Sequence, residues 1–228
     1  MTPMLASDPA RELPADPYHS GVRFGALVLW LFIVLALYAA LAYLAGLIFP
    51  DLGAGWLIII AVVLLVSQPV ARWSEKQLIQ RWPSGRAVRL PSRALLMKEK
   101  TGDTRFELDG ARVNYWRWHF VVKNRRGGGR VANGDCVCAL RLVQGENAAS
   151  LYAFVPKKEA ESLLGRYVFY EVQRAAKNQP ALGGRDAVYL AAEQARWESG
   201  AELLPTDFTA VLDHLAAHVP EFKTAPSS

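Results

Sequence analysis

From Phe24 to Val70 the chain is almost unbroken hydrocarbon: FGALVLWLFIVLALYAALAYLAGLIF, then PDLGA, then GWLIIIAVVLLVSQPV. The first arm, Phe24 to Phe49, holds 26 residues without a charged side chain. As a helix it reaches about 39 Å, more than the roughly 30 Å of a bilayer's hydrocarbon core. The second arm, Gly55 to Val70, has 16 residues and falls just short. It borrows a residue or two beyond Val70, with Arg72 snorkelling to the headgroups. The pattern predicts a transmembrane helical hairpin over 23–71. Pro50-Asp51 starts its outer turn, Trp56 takes an interfacial position, and Pro69 is expected to kink or end the second span.

The flanks read differently. Residues 1–22 hold Pro3, Pro9, Pro14 and Pro17 without apolar periodicity, which predicts a disordered N-terminal tail. A cleaved leader is disfavoured by Asp8, Glu12 and Asp16, and by the second span that follows at once. Residues 72–83 interleave Trp73, Leu78, Ile79 and Trp82 with Arg72, Lys76 and Arg81, as an amphipathic linker in the headgroup zone does. Within the first arm, Ala36, Ala40, Ala42 and Gly46 give the small-residue spacing that lets helices approach in lipid. The expected partner is the second arm, and another subunit is the alternative.

Beyond Pro83-Ser84-Gly85 the period switches to about two. Candidate strands are Ala87–Leu90, Leu95–Glu99, Thr104–Leu108, Arg112–Lys123, Arg130–Val143 and Ser150–Val155, with turns at Asp109-Gly110 and Gly145-Glu-Asn147. The fourth is apolar on both sides in its later part, so it should be buried on both faces. A helix is predicted over Lys157 to Asn178, a second over Asp186 to Ser199, and a third capped by Thr206. Residues 84–180 thus form a β-rich domain with a closing helix, and 181–228 a C-terminal helical extension and tail. The fold class is a two-helix membrane hairpin followed by an α+β cytoplasmic domain, a small antiparallel β-barrel or sheet packed by a helix, plus C-terminal helices.

Charge sharpens the picture. Residues 72–130 carry fifteen Lys/Arg against five acids, so the net +5 of the chain originates there. Positive charge next to a span holds that end in the cytoplasm, which places both termini inside a plasma membrane. It also favours anionic lipid, and the expected contacts are Arg72, Trp73, Lys76, Arg81, Trp82, Arg86 and Arg89. The RRGGGR run adds Arg125, Arg126 and Arg130 as an anion-contact loop or, alternatively, a flexible hairpin tip.

Catalytic chemistry is not indicated. His214 and His218 stand one helical turn apart but lack the Glu of a metalloprotease motif and a third ligand, so a solvated helix surface is the expected reading. His119 has no evident Ser or Cys partner. Cys136 and Cys138 form no CxxC and fit free thiols in a reducing compartment. The Trp116, Trp118, Phe120 set with Arg112, Arg117 and Lys123 suits base stacking in principle, but a sheet packed by a helix buries such residues, and no nucleic acid is expected. Neither arm contains Asp, Glu, Lys, Arg or His, which argues against an ion path through the hairpin alone.

Two spans followed by short strands and a long helix, over residues 24–178, resemble bacterial membrane proteins that carry a pleckstrin-homology-like domain. The resemblance is one of architecture. It implies a non-enzymatic scaffold without cofactor or metal that docks a protein partner, or a second copy of itself, at the membrane. The alternative is an accessory subunit of a larger membrane enzyme or transport complex.

Overall fold

Strand formation begins before the hairpin rather than after it. In the computed structural model, which describes residues 11–48, 55–99, 102–108, 113–123, 131–172 and 184–223, Arg11–Pro14 is a strand, β1. The chain divides into two compact units: Pro17–Ser84, and Met1–Asp16 together with Gly85–Ser228. The hairpin is therefore an insertion between the first strand of the second unit and the rest of it. Residues 11–16 do not belong to an unstructured tail.

In the first unit, α1 (Ser20–Ile48) and α2 (Gly55–Arg81) are both long and apolar enough to cross a membrane. Their outward side chains are apolar and exposed, which is compatible with a hydrocarbon surround: Leu65 is 74 % exposed and Phe32 65 %. Where the helices meet, polar groups are satisfied locally. Trp30 Nε1 donates to Ser67 Oγ at 3.2 Å, and the Ser67 hydroxyl donates to the Leu64 carbonyl. Ser74 is buried and bonded to the Ala71 carbonyl.

Pro69 lies inside α2 and does not end it, and α2 runs on to Arg81, the helical continuation expected of residues 72–83. One expectation needs correction: of the small residues of α1, Ala36, Ala40 and Gly46 are exposed rather than packed on α2, while Ala42 is half-buried, and a Cβ at Gly46 would meet nothing within 4 Å. The closely approached glycines are instead Gly21 and Gly25, both beside Trp82.

The second unit holds two sheets. In one, β1, β2 (Ala87–Leu90), β3 (Ala94–Glu99) and β4 (Gly102–Glu107) pair antiparallel in that order. In the other, β5 (Asn114–Val121), β6 (Cys136–Gln144) and β7 (Asn147–Val155) form an antiparallel meander. Two short parallel strands flank it: β8 (Tyr170–Glu171) beside β5 and β9 (Ala201–Glu202) beside β7. Gly145 turns β6 into β7 at φ +60°, a conformation that costs glycine nothing. The Asp109-Gly110 turn lies outside the described residues. Side-chain amides finish the edge of β4: Gln144 accepts from the Glu107 N–H and donates to its carbonyl, both at 2.8 Å.

Helices cover both faces of the second sheet. On one face, sheet one, α3 (Lys157–Arg166) and α5 (Pro205–His218) enclose Leu95, Phe106, Leu140, Leu151, Phe208 and Leu212. On the other, α4 (Arg185–Ser199) covers Trp118, Phe120, Val137 and Ala139. β5 is covered on both faces at Tyr115, Arg117, Trp118 and Phe120, but not to its end: Val121 is exposed, against the expectation of two-sided burial over the later part of the strand. The helix expected to reach Asn178 stops at Arg166, because Tyr167-Val-Phe-Tyr170 alternates as a strand does, and Tyr167 is already extended at φ −130°, ψ 139°. Pro205 begins α5 with its ring at the first helical position, and no side chain caps it.

If β1 is structural, Leu13→Ala should cost about 2–5 kcal/mol, the range of a buried leucine truncation. Leu13 is only 2 % exposed. Thermal or denaturant unfolding of the solubilised protein measures this, and an effect within 0.5 kcal/mol, taken as about what a surface substitution gives, would return residues 11–16 to a tail. A variant with residues 17–84 replaced by a short Gly/Ser linker should fold in water, whereas residues 85–228 alone should be markedly less stable.

Candidate lipid-contact site

The last turns of α2 follow directly from its apolar run and carry the cations and tryptophans expected of a lipid contact. Arg72, Trp73, Lys76, Arg81 and Trp82 are all exposed there. Arg72 and Lys76 are one turn apart on one face with Trp73 beside them, and none of the three cations has an ion-pair partner among the described residues. Trp82 has a second role. Its ring lies against α1, 3.4 Å from where a Cβ on Gly25 would stand, and it meets the His19 ring edge-on at 6.0 Å. His19 Nε2 lies 2.9 Å from the Trp82 carbonyl, so the open end of the hairpin is tied.

Arg86 and Arg89, expected in the same set, are held within the α+β unit instead. Arg86 donates to Asp16 and to Glu99, both at 2.8 Å, and to the Ser199 carbonyl at 3.0 Å. Burial works against its charge, but the carboxylates of Glu99 and Asp16 outweigh burial and hold the guanidinium above its ordinary value. Arg89 pairs with Glu12 at 2.9 Å across β1 and β2. Asp16 is the residue that sequence reasoning missed. At φ +51° it takes a left-handed turn that Asp tolerates; its N–H donates to the Glu202 carbonyl, and its carboxylate accepts from the Glu202 N–H. With the Ala15 N–H on the Arg86 carbonyl at 3.0 Å, these bonds close the domain on its side of the insertion. Only Asp16 in an Asp-Pro pair hinted at this, and nothing local pointed to Glu202.

The other candidates separate cleanly. Arg125, Arg126 and Arg130 lie outside the described residues. His214 is half-buried, with Nε2 3.0 Å from the Ala94 carbonyl of β3, so it fastens α5 to the sheet rather than lining a solvated surface. Among the described residues no group of three His, Cys, Asp or Glu could hold a metal. Cys136 and Cys138 are free and buried; the bond to Cys136, then burial, keeps the Cys138 thiol far above its usual range. No family model, no curated protein and no solved structure matches this chain.

Two measurements follow. Burial lowers the His119 imidazole below its ordinary value, only partly offset by Glu171, and burial likewise lowers His214. A histidine whose folded value is depressed favours the native state above its unfolded value near 6.5 and loses that contribution as pH falls through the window below it. Stability should therefore decline below about pH 6.5, and His119→Gln should flatten part of that decline. Separately, Arg86→Gln should cost about 1–3 kcal/mol by leaving half-buried carboxylates unpaired, while Arg89→Gln, in an exposed pair, should cost under about 1 kcal/mol. Equal costs would contradict the distinction drawn between them.

Proposed function

We propose that this protein is a membrane-anchored, non-enzymatic docking protein whose α+β unit engages a partner while the end of α2 grips anionic lipid. The observation that carries the proposal is the exposed set of Arg72, Trp73, Lys76, Arg81 and Trp82 immediately after an apolar hairpin. The tryptophans supply the amphipathic anchor and the cations the attraction to acidic headgroups. In this reading both termini face the cytoplasm, since the outer turn carries no Lys or Arg. Short antiparallel strands packed by helices agree with the use made of pleckstrin-homology-like domains, as an adaptor surface rather than a reaction site. A second reading, an accessory subunit of a larger membrane complex, is favoured by the exposed Ala36, Ala40 and Gly46 of α1, which leave a small-residue face for a foreign helix.

The test reconstitutes the full chain in vesicles and follows energy transfer from Trp73 and Trp82 to a labelled lipid. Labelled acidic lipid should be enriched around the protein, and the enrichment should fall with salt. Each removed charge is worth on the order of 1 kcal/mol, so Arg72→Gln, Lys76→Gln and Arg81→Gln together should abolish it. Equal transfer from neutral and acidic lipid would leave the cations with a topological role alone. A cysteine placed at Asp51 should be labelled only from outside, and Gly46→Leu should disperse a co-purifying complex only if the second reading holds.

A further inference from the structure

On the inner face of β5, Arg117 is fully buried, yet its Nε, Nη1 and Nη2 have no hydrogen-bond partner among the described residues. Rings surround it instead. Its Cζ stands 4.4 Å from the centroid of Phe222, 5.5 Å from Tyr115 and 5.9 Å from Phe169. Two residues on, the Nδ1 of His119 is also buried without a partner, and its ring meets Phe169 edge-on at 6.3 Å. Residues i and i+2 of a strand share a face, so five guanidinium N–H groups and an imidazole nitrogen lie on one side of β5, and none of them has a hydrogen-bond partner among the described residues, although the Glu171 carboxylate acts on His119 from the neighbouring strand. Cation–π contact offsets part of the cost and satisfies none of those donors in their own plane. The buried Arg196, on the other face of the sheet, has the ordinary solution: it donates to both oxygens of Glu193, at 2.5 and 2.7 Å.

We propose that Arg117, with His119 beside it, is a buried receptor for a small water-borne oxyanion, a carboxylate or phosphate group, and that Phe222 is its removable cover. A planar oxyanion accepts two parallel bonds from the fork of a guanidinium, which is the contact Arg117 lacks. The cover is a short element. Phe222 belongs to a single 3-10 turn, Pro220–Lys223, held by the Tyr115 hydroxyl on the Glu221 carbonyl at 2.8 Å and by ring contacts with Tyr115 and Tyr167. Swinging that turn aside opens the guanidinium and leaves both sheets intact. The proposal stands independently of the lipid-contact reading.

The experiment uses the full chain in neutral detergent, titrated with inorganic phosphate or acetate against chloride at matched ionic strength. Saturable stabilisation by an oxyanion is expected, together with a shift of the Arg117 Nε–H resonance in a 15N-labelled sample. Phe222→Ala should tighten the apparent affinity several-fold, because the cover no longer competes. Arg117→Met should abolish the response, and Arg117→Lys, which keeps the charge without the fork, should weaken it. Should Arg117→Met fail to fold, the wild-type resonance and the Phe222→Ala affinity decide the matter alone. A response that persists in Arg117→Met, or its absence from both wild type and Phe222→Ala, overturns the proposal.

Discussion

The α+β unit depends on one closure, the pairing of β1 with β2 across the inserted hairpin. Antiparallel neighbours usually need a turn of a few residues, but here the connection runs through both membrane helices. Closing a flexible loop of that length carries an entropic cost of about 4 kcal/mol by the logarithmic law. The hairpin removes most of it. With α1 and α2 paired and His19 tied to Trp82 at their common end, the two departing segments start side by side. Asp16 and Arg86 then complete the ladder with backbone and charge together. Pairing of the two helices is in this sense a folding step for the domain.

This dependence also explains what the sequence did and did not disclose. The hairpin and the runs that became β2 to β7 were legible, because each carries its own periodicity over enough residues to stand above noise. β1 was not. RELP offers one apolar side chain, two charges and a proline, and its partner lies beyond both membrane helices. Proline is tolerated there because Pro14 ends an edge strand. The helix assigned over Lys157 to Asn178 failed for a related reason. Leu163, Leu164, Tyr167 and Val168 satisfy a helical stripe, yet the aromatic alternation after Arg166 suits a strand equally, and pairing with β5 decides between them.

The same blind spot governed the charges. Counting cations after the hairpin assigned Arg72 through Arg89 to one surface, since their acids were out of sight. Two of those acids, Glu12 and Asp16, lie before the hairpin, and Glu99 lies one strand further on. Folding brings them back to Arg86 and Arg89, so the cations of that set left without an ion pair among the described residues are Arg72, Lys76 and Arg81 of α2. A net charge summed over a segment overstates its reach when the fold returns a distant acidic segment to the same edge.

Three arginines of one domain show how the fold treats a buried cation. Arg86 receives two carboxylates and a carbonyl. Arg196 receives one carboxylate and the face of Tyr152 at 4.6 Å. Arg117 receives rings alone, and burial pulls its guanidinium below the ordinary arginine value despite the neighbouring tyrosines. Removing a charge from water without a counter-charge costs several kcal/mol, more than three ring contacts return. A leucine in that row would pack against Phe222 and Tyr115 without that cost. The arrangement is therefore poor as packing, and it becomes economical only when an acceptor arrives, which is the physical signature of a site rather than of a core.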